Sequence, residues 1–298
     1  MEAAAGRTGR FATHLSDRKA ISLSGINSFT HAFCEGLRSE ILPEIERATI
    51  PIYGIQDEKI KRDRTGVLYK IADHHFILTA SHGLRQIVEA KIPLYVLPNE
   101  ADPEGPVVPL SAKYHTTEVD GRDIAVVHLP GPIAEQIASH KRFLQHNKLA
   151  PFSSSSKSLY VFFGYPEEWF GKVSTGAIRS RALHVICTEY TGDVTSGFLP
   201  RVHVALEFEK TGISLFDGEK KHLPDVHGIS GCGIWRICDF TREGMEKCGI
   251  RGLRLVAVQH SWLPGRYVRG TRIEFALRLI AANYPELHPA MSLRYLQQ

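Results

Sequence analysis

The feature that most constrains this chain is its supply of short, β-branched or aromatic runs with no regular helices between them. From Ile50 onward, Gly66–Ala72 alternates apolar and polar residues, and His75–Ala80 follows as one apolar run. Leu94–Leu97, Ile124–Leu129, Leu159–Phe163, Val202–Phe208, Gly233–Ile237 and Leu253–Gln259 repeat the theme, separated by Gly, Pro, Asp and Asn. A parallel α/β sheet would need helices between successive strands, so the pattern predicts an all-β barrel or sandwich. The 298 residues suggest two compact units, or one large all-β unit. Asn147–Ser158, polar, Ser-rich and carrying Pro151, is the natural place to divide them.

Two helices are expected outside the strands. Asn27 or Ser28 could cap the first, in which Phe29, Phe33, Leu37 and Ile41 share a face. Pro43 is expected to end or kink it, and its apolar face is expected to pack on the outside of the main fold. Near the C-terminus, Ile273, Ala276, Leu277, Ile280, Ala281 and Tyr284 form one apolar stripe, which reads as a helix packed on a barrel. The expected divisions are 1–48, a partly helical extension; 49–150, a first β unit; and 151–298, a second β unit with the C-terminal helix.

Composition removes several function classes. Hydrophobic residues at 43% and charged residues at 23% are ordinary for a folded globular protein. No run is long and apolar enough for a conventional transmembrane helix, and the first residues lack the basic-then-apolar pattern of a secretory signal. The 36 basic and 32 acidic residues are dispersed, with no basic block longer than Lys59–Arg64, so no nucleic-acid partner and no membrane is expected. Five cysteines are too few for a disulfide scaffold, and a reducing, cytoplasmic setting is the expectation. Cys232, Cys238, Cys248 and His260 lack the spacing of a zinc site, so neither a metal nor another cofactor is expected.

Three segments carry chemistry when taken together. Ile77–His82 sets His82 just past an apolar strand, and Asp123–Leu129 sets Asp123 at the start of another. Gly228–Gly233 sets Ser230 inside a glycine-rich turn. A serine hydroxyl is a weak nucleophile near neutrality and needs a base within reach, a role that suits histidine. That base needs a carboxylate to hold its tautomer, and the tetrahedral intermediate needs aimed backbone N–H groups, which a Gly-x-Ser turn can present.

These segments resemble the chymotrypsin-like serine peptidases. Thr79-Ala80-Ser81-His82 is similar to the family's Thr-Ala-Ala-His, Asp123–Leu129 to its Asp-Ile-Ala-Leu, and Gly228–Cys232 to its Gly-Asp-Ser-Gly-Gly, in the same chain order. The run His227–Gly231 followed by Gly233-Ile234-Trp235 resembles the bacterial intracellular trypsin-like branch. The resemblance spans residues 50 to 284 or so. It implies two six-stranded antiparallel β-barrels, with Ser230 as nucleophile, His82 as general base, Asp123 as its orienting partner, and the N–H groups of Gly228 and Ser230 as oxyanion hole.

The departures inform the expectation. Gly83 stands where secreted members carry a disulfide cysteine, and Ile229 where zymogens carry the aspartate used in activation. Pro224, six residues before Ser230, replaces the acidic base of a trypsin-type pocket, with Asp225 beside it. Pro224, Asp225, His227, Gln259, His260 and Ser261 are the candidate substrate-binding residues, and Val256–Trp262 is the strand expected to pair with substrate backbone. Whether His260 or Ser261 supports Asp123 stays open. The expected activity is a trypsin-like serine endopeptidase acting on protein or peptide substrates. The alternative is a latent or catalytically silent protein-binding module that needs an activating partner.

Overall fold

A computed structural model describes residues 31–291, apart from 57–58, 100–106, 111, 155–157, 170, 175–176, 180–181, 196, 214–218 and 240–248. Most of it is strand, in two large curled antiparallel sheets. The first is built from β1 (Thr49–Gln56), β2 (Lys59–Ile71), β3 (His74–Thr79), β4 (Leu94–Val96), β5 (Val108–Pro109), β6 (Lys113–Thr117) and β7 (Ile124–Leu129). Their spatial order is β5-β4-β1-β2-β3-β7-β6. It has one strand more than six because the two-residue β5 adds to the edge of β4.

The second half opens with β8 (Ser158–Gly164), a small hairpin of β9 (Gly171–Ser174) and β10 (Ala177–Arg179), β11 (Leu183–Cys187) and β12 (His203–Glu207). A second hairpin, β13 (Thr211–Ile213) and β14 (Lys220–His222), leads to β15 (Gly233–Asp239), β16 (Arg254–Leu263) and β17 (Tyr267–Arg272). Six of these strands form the second large sheet, in the order β11-β8-β15-β16-β17-β12. Two curled antiparallel sheets in sequence fit the all-β fold that the residue pattern predicts and the double-barrel, chymotrypsin-like architecture that the motif resemblance implies.

Alternation of side chains along each strand explains how three hydrophobic clusters coexist. On β8, Tyr160 and Phe162 point into the interior of the second sheet, while Leu159, Val161 and Phe163 join a larger shared core. On β2 and β3, Leu68 and Ile77 fill the first sheet, while Val67, Tyr69, Phe76 and Leu78 enter the same shared core. Both faces of these central strands are therefore buried. This is why His75–Ala80 and Leu159–Phe163 read as continuous apolar runs, and why the alternation expected over Gly66–Ala72 does not sort its residues into a buried and an exposed face: Val67, Leu68 and Tyr69 are all buried.

The shared core is completed by helices from the two ends of the chain. α1 (His31–Gly36) passes through one wide π turn at Leu37–Ile41 into α2 (Leu42–Arg47). Pro43 does not end the helix. Its ring would clash with the carbonyl four residues back in a regular α-helix, and the π turn, in which the Leu42 N–H bonds to the Leu37 oxygen, opens the helix just before it. Phe33, Leu37 and Ile41 are buried on one face as expected, and Leu42 and Ile45 extend that face. The face does more than rest on the exterior, since it belongs to the core that both sheets share. The expected cap at Asn27 or Ser28, and Phe29, lie outside the described residues.

Two side chains of the segment that follows the first sheet hold this helix: Arg142 reaches both carboxylate oxygens of the buried Glu44 at 3.1 and 3.0 Å, and Lys141 Nζ donates to the Glu46 carbonyl at 3.1 Å. At the other end α5 (Ile273–Asn283) presents the predicted stripe, with Ile273, Ala276, Leu277, Ile280 and Ala281 all buried. It follows α3 (Ser81–Glu89) and α4 (Gly131–Ala138), two short helices of the first half that the strand pattern does not announce. No helix among the described residues is long and apolar enough to cross a membrane.

Candidate active site

His82 lies in the first turn of α3, directly after β3. Asp123 lies one residue before β7, the neighbour of β3 in the sheet. That pairing brings their side chains together. The Asp123 carboxylate accepts twice from His82, through Oδ1 from the backbone N–H at 3.0 Å and through Oδ2 from ring Nδ1 at 2.6 Å. A carboxylate only accepts, so Nδ1 is the donor, and in the neutral ring Nε2 is the nitrogen that carries the lone pair. The imidazole is thus fixed in orientation and in tautomer.

Asp123 is held from behind as well. Its backbone N–H donates to Thr271 Oγ1 at 3.1 Å, and the same hydroxyl donates back to the Asp123 carbonyl at 3.4 Å. Burial works to raise the carboxyl pKa. The hydrogen bonds from His82 and the neighbouring His260 and His82 rings outweigh it, so the group ends below its usual range and stays ionised.

Ser230 sits in the turn that enters β15, and the turn depends on its glycines. Gly228 and Gly231 have φ of 88° and 95°, the left-handed region in which a side chain is strained. A Cβ on Gly231 would come within 2.0 Å of both the Thr65 carbonyl and Thr79 Oγ1, so this turn also needs glycine for close approach. The Gly231 N–H donates to the Gln259 carbonyl at 2.7 Å, and the Gln259 N–H to the Cys232 carbonyl at 2.8 Å, which ties the turn to β16. Among the described residues, the N–H groups of Gly228 and Ser230 have no hydrogen-bond partner.

Thr65, a residue that no motif singles out, joins the two halves of the site. Although it belongs to β2 of the first sheet, its N–H donates to the Ser230 carbonyl at 3.0 Å and its hydroxyl to the Gly228 carbonyl at 3.2 Å. Its own carbonyl accepts from Thr79 Oγ1 at 2.7 Å, three residues before His82. The serine turn and the histidine strand are therefore anchored to one buried threonine. Among the described residues no hydrogen bond is recorded for the Ser230 hydroxyl, a contact that in unliganded sites is often long and tightens with substrate.

The remaining sequence candidates fall into two groups. Asp225 and His227 are exposed on the loop leading to Ser230, where the Asp225 carboxylate accepts the His227 N–H at 3.1 Å and the His227 ring meets Trp262 edge-on at 5.8 Å. Glu168 joins them by accepting the Asp225 N–H at 2.7 Å. Pro224, Gln259 and His260 are buried. His260 Nδ1 stands 3.6 Å from Asp123 Oδ2, whereas Ser261 Oγ accepts from Arg269 Nε at 2.9 Å. It is therefore His260, and not Ser261, that faces Asp123.

The buried thiols are poor nucleophiles on this geometry. Burial pushes the Cys187 and Cys232 thiols well up, away from the reactive thiolate. Cys248 lies outside the described residues, and among those described no cluster of His, Cys, Asp and Glu is arranged to hold a metal ion.

No family model matches the chain, and no curated protein matches it. Among solved structures, a serine protease of a human pathogenic astrovirus is similar at 16% identity, covering 76% of this chain and 90% of that one, with a TM-score of 0.40. An inactivated protease paralogue of the scabies mite shares 14% identity over 82% of this chain and 96% of that one, at a TM-score of 0.46. A serine endoprotease of Yersinia pestis shares 12% over 86% and 67%, at 0.45. Likenesses this distant say nothing about what this chain does.

Proposed function

We propose that this protein is a serine endopeptidase, with Ser230 as nucleophile, His82 as general base and then acid, and Asp123 as the carboxylate that orients it. The observation that carries the reading is the two-point clamp of His82 by Asp123, which leaves Nε2 as the nitrogen available to act as base, while Thr65 ties the glycine-flanked serine turn to Thr79 of the strand that leads into His82. Ser230 Oγ attacks the substrate carbonyl while its proton passes to His82 Nε2. The imidazolium gives that proton to the departing amine as the peptide C–N bond breaks and the acyl-enzyme forms. Water then attacks the ester by the same relay, releasing the acid and restoring Ser230. The unpartnered N–H groups of Gly228 and Ser230 are the donors that would stabilise each oxyanion.

β16 supports a protein or peptide substrate. It pairs with β15 only as far as Val258, opposite Gly233, yet continues to Leu263 with β17 on its other side. Ser261–Leu263 thus offers an edge for an extended peptide, with the partly buried Trp262 in it meeting the ring of the exposed His227. The test is digestion of an unfolded protein substrate, with fragments identified by mass spectrometry. The intact protein should generate new termini and Ser230→Ala should generate none; equal cleavage by both would end this reading.

A further inference from the structure

We infer that His260 is a positioning residue for the His82–Asp123 pair, acting on Asp123 as a neutral dipole. The inference rests on the proposed roles of His82 and Asp123. The ladder between β16 and β17 shifts between Gln259 and Ser261, so His260 has no Cα partner in β17. A bulge of this kind re-aims a side chain. Here the extra residue turns inward to 6% exposure and sets Nδ1 3.6 Å from Asp123 Oδ2, the oxygen already bonded to His82 Nδ1.

The ring is braced from its far side. His203, also buried, lies with its ring centre 5.5 Å from that of His260. It accepts the Leu199 N–H at Nδ1 (3.0 Å) and donates from Nε2 to the Gly121 carbonyl at 2.7 Å, two residues before Asp123. One buried histidine thus holds the loop that carries Asp123 and backs the second.

The groups that face His260 are Asp123, Arg269, His203 and His82. Burial opposes a charge on His260, and Arg269, His203 and His82 add to that; only Asp123 favours it. The ring stays neutral, with its proton on Nδ1, because a lone pair aimed at a carboxylate would be repelled. Nε2 has no partner among the described residues. A charged His260 would compete with the imidazolium on His82 for Asp123. A neutral one directs a positive dipole end at Oδ2 and leaves the carboxylate free to stabilise His82 as it takes the proton.

The test compares His260→Phe, which fills the space without an N–H, with His260→Gln, which keeps a donor. Two readouts are used: the rate and pH profile of fluorophosphonate labelling, and the downfield NMR signal of the proton between His82 and Asp123. His260→Phe should slow labelling by about five- to tenfold, the worth of one modest polar contact. It should also move the NMR signal and raise the acid midpoint of labelling, since removing a positive dipole end eases protonation of the pair. His260→Gln should recover most of each effect. Unchanged rate, midpoint and signal in a folded His260→Phe, or equal impairment in both variants, would overturn the inference. If the unmodified protein fails to label, the reading of Ser230 falls and the NMR signal alone decides the role of His260.

Discussion

Acidification should destabilise this protein through His260 before it touches the carboxylates. Burial, with Arg269 and the His203 and His82 rings beside it, pushes its pKa down from 6.5 to about 3 in the folded chain. An unfolded histidine titrates near 6.5, so between these values the unfolded state binds one proton more than the folded state. Stability is then full above about pH 6.5 and falls as pH is lowered, by about 1.4 kcal/mol per unit for one proton. From pH 6.5 to 4.5 this amounts to roughly 2 kcal/mol, a large share of the 5–15 kcal/mol typical of a folded domain. His203, His128, His115 and His75 are also lowered by burial and slope the same way. The contribution of His260 is therefore read as a difference. Urea unfolding, followed by tryptophan fluorescence at half-unit steps of pH, should give a shallower slope for His260→Gln by about one proton. Parallel slopes over pH 4.5 to 6.5 would refute the argument that this ring is buried uncharged.

Other consequences follow from specific contacts. Gly231→Ala, at a φ of 95° and against backbone 2.0 Å away, should cost at least about 3 kcal/mol in urea unfolding, strain and overpacking together. Leu37→Ala should cost about 2–5 kcal/mol if the N-terminal helix is part of the core, and a loss near zero would place it outside. Asp123→Asn should lower peptide hydrolysis about 10⁴-fold in a folded protein, because the amide no longer selects the Nδ1–H tautomer of His82. Its circular dichroism should match the parent, since a fall through misfolding would say nothing about the tautomer.

What could be read from the residues depended on how local each signal is. Ile124–Leu129 is the strand that Asp123–Leu129 predicts, because an apolar run between Asp123 and Pro130 leaves little freedom. Lys113–Thr117 and Tyr267–Arg272 are full strands that no apolar run announces; they sit beside strongly apolar partners and take their conformation from the ladder. His82 and Asp123 were visible because each stands in a short motif. Thr65 was not, for a threonine next to a basic run acquires meaning only when the second sheet folds against the first. The choice between His260 and Ser261 could not be made by counting, because the register shift lies at that point and one residue of slip exchanges the faces of a strand.

The central claim is that Ser230 is an activated nucleophile, and a fluorophosphonate probe tests it most directly. The purified protein and its Ser230→Ala variant are treated alike, and any adduct is located by mass spectrometry. The account predicts one adduct, on Ser230, absent from the variant and lost as the solution is made acidic enough to protonate the base. A well-folded protein that takes up no probe, or takes it up at another residue, would contradict the account and point to a latent or silent module that works through a partner.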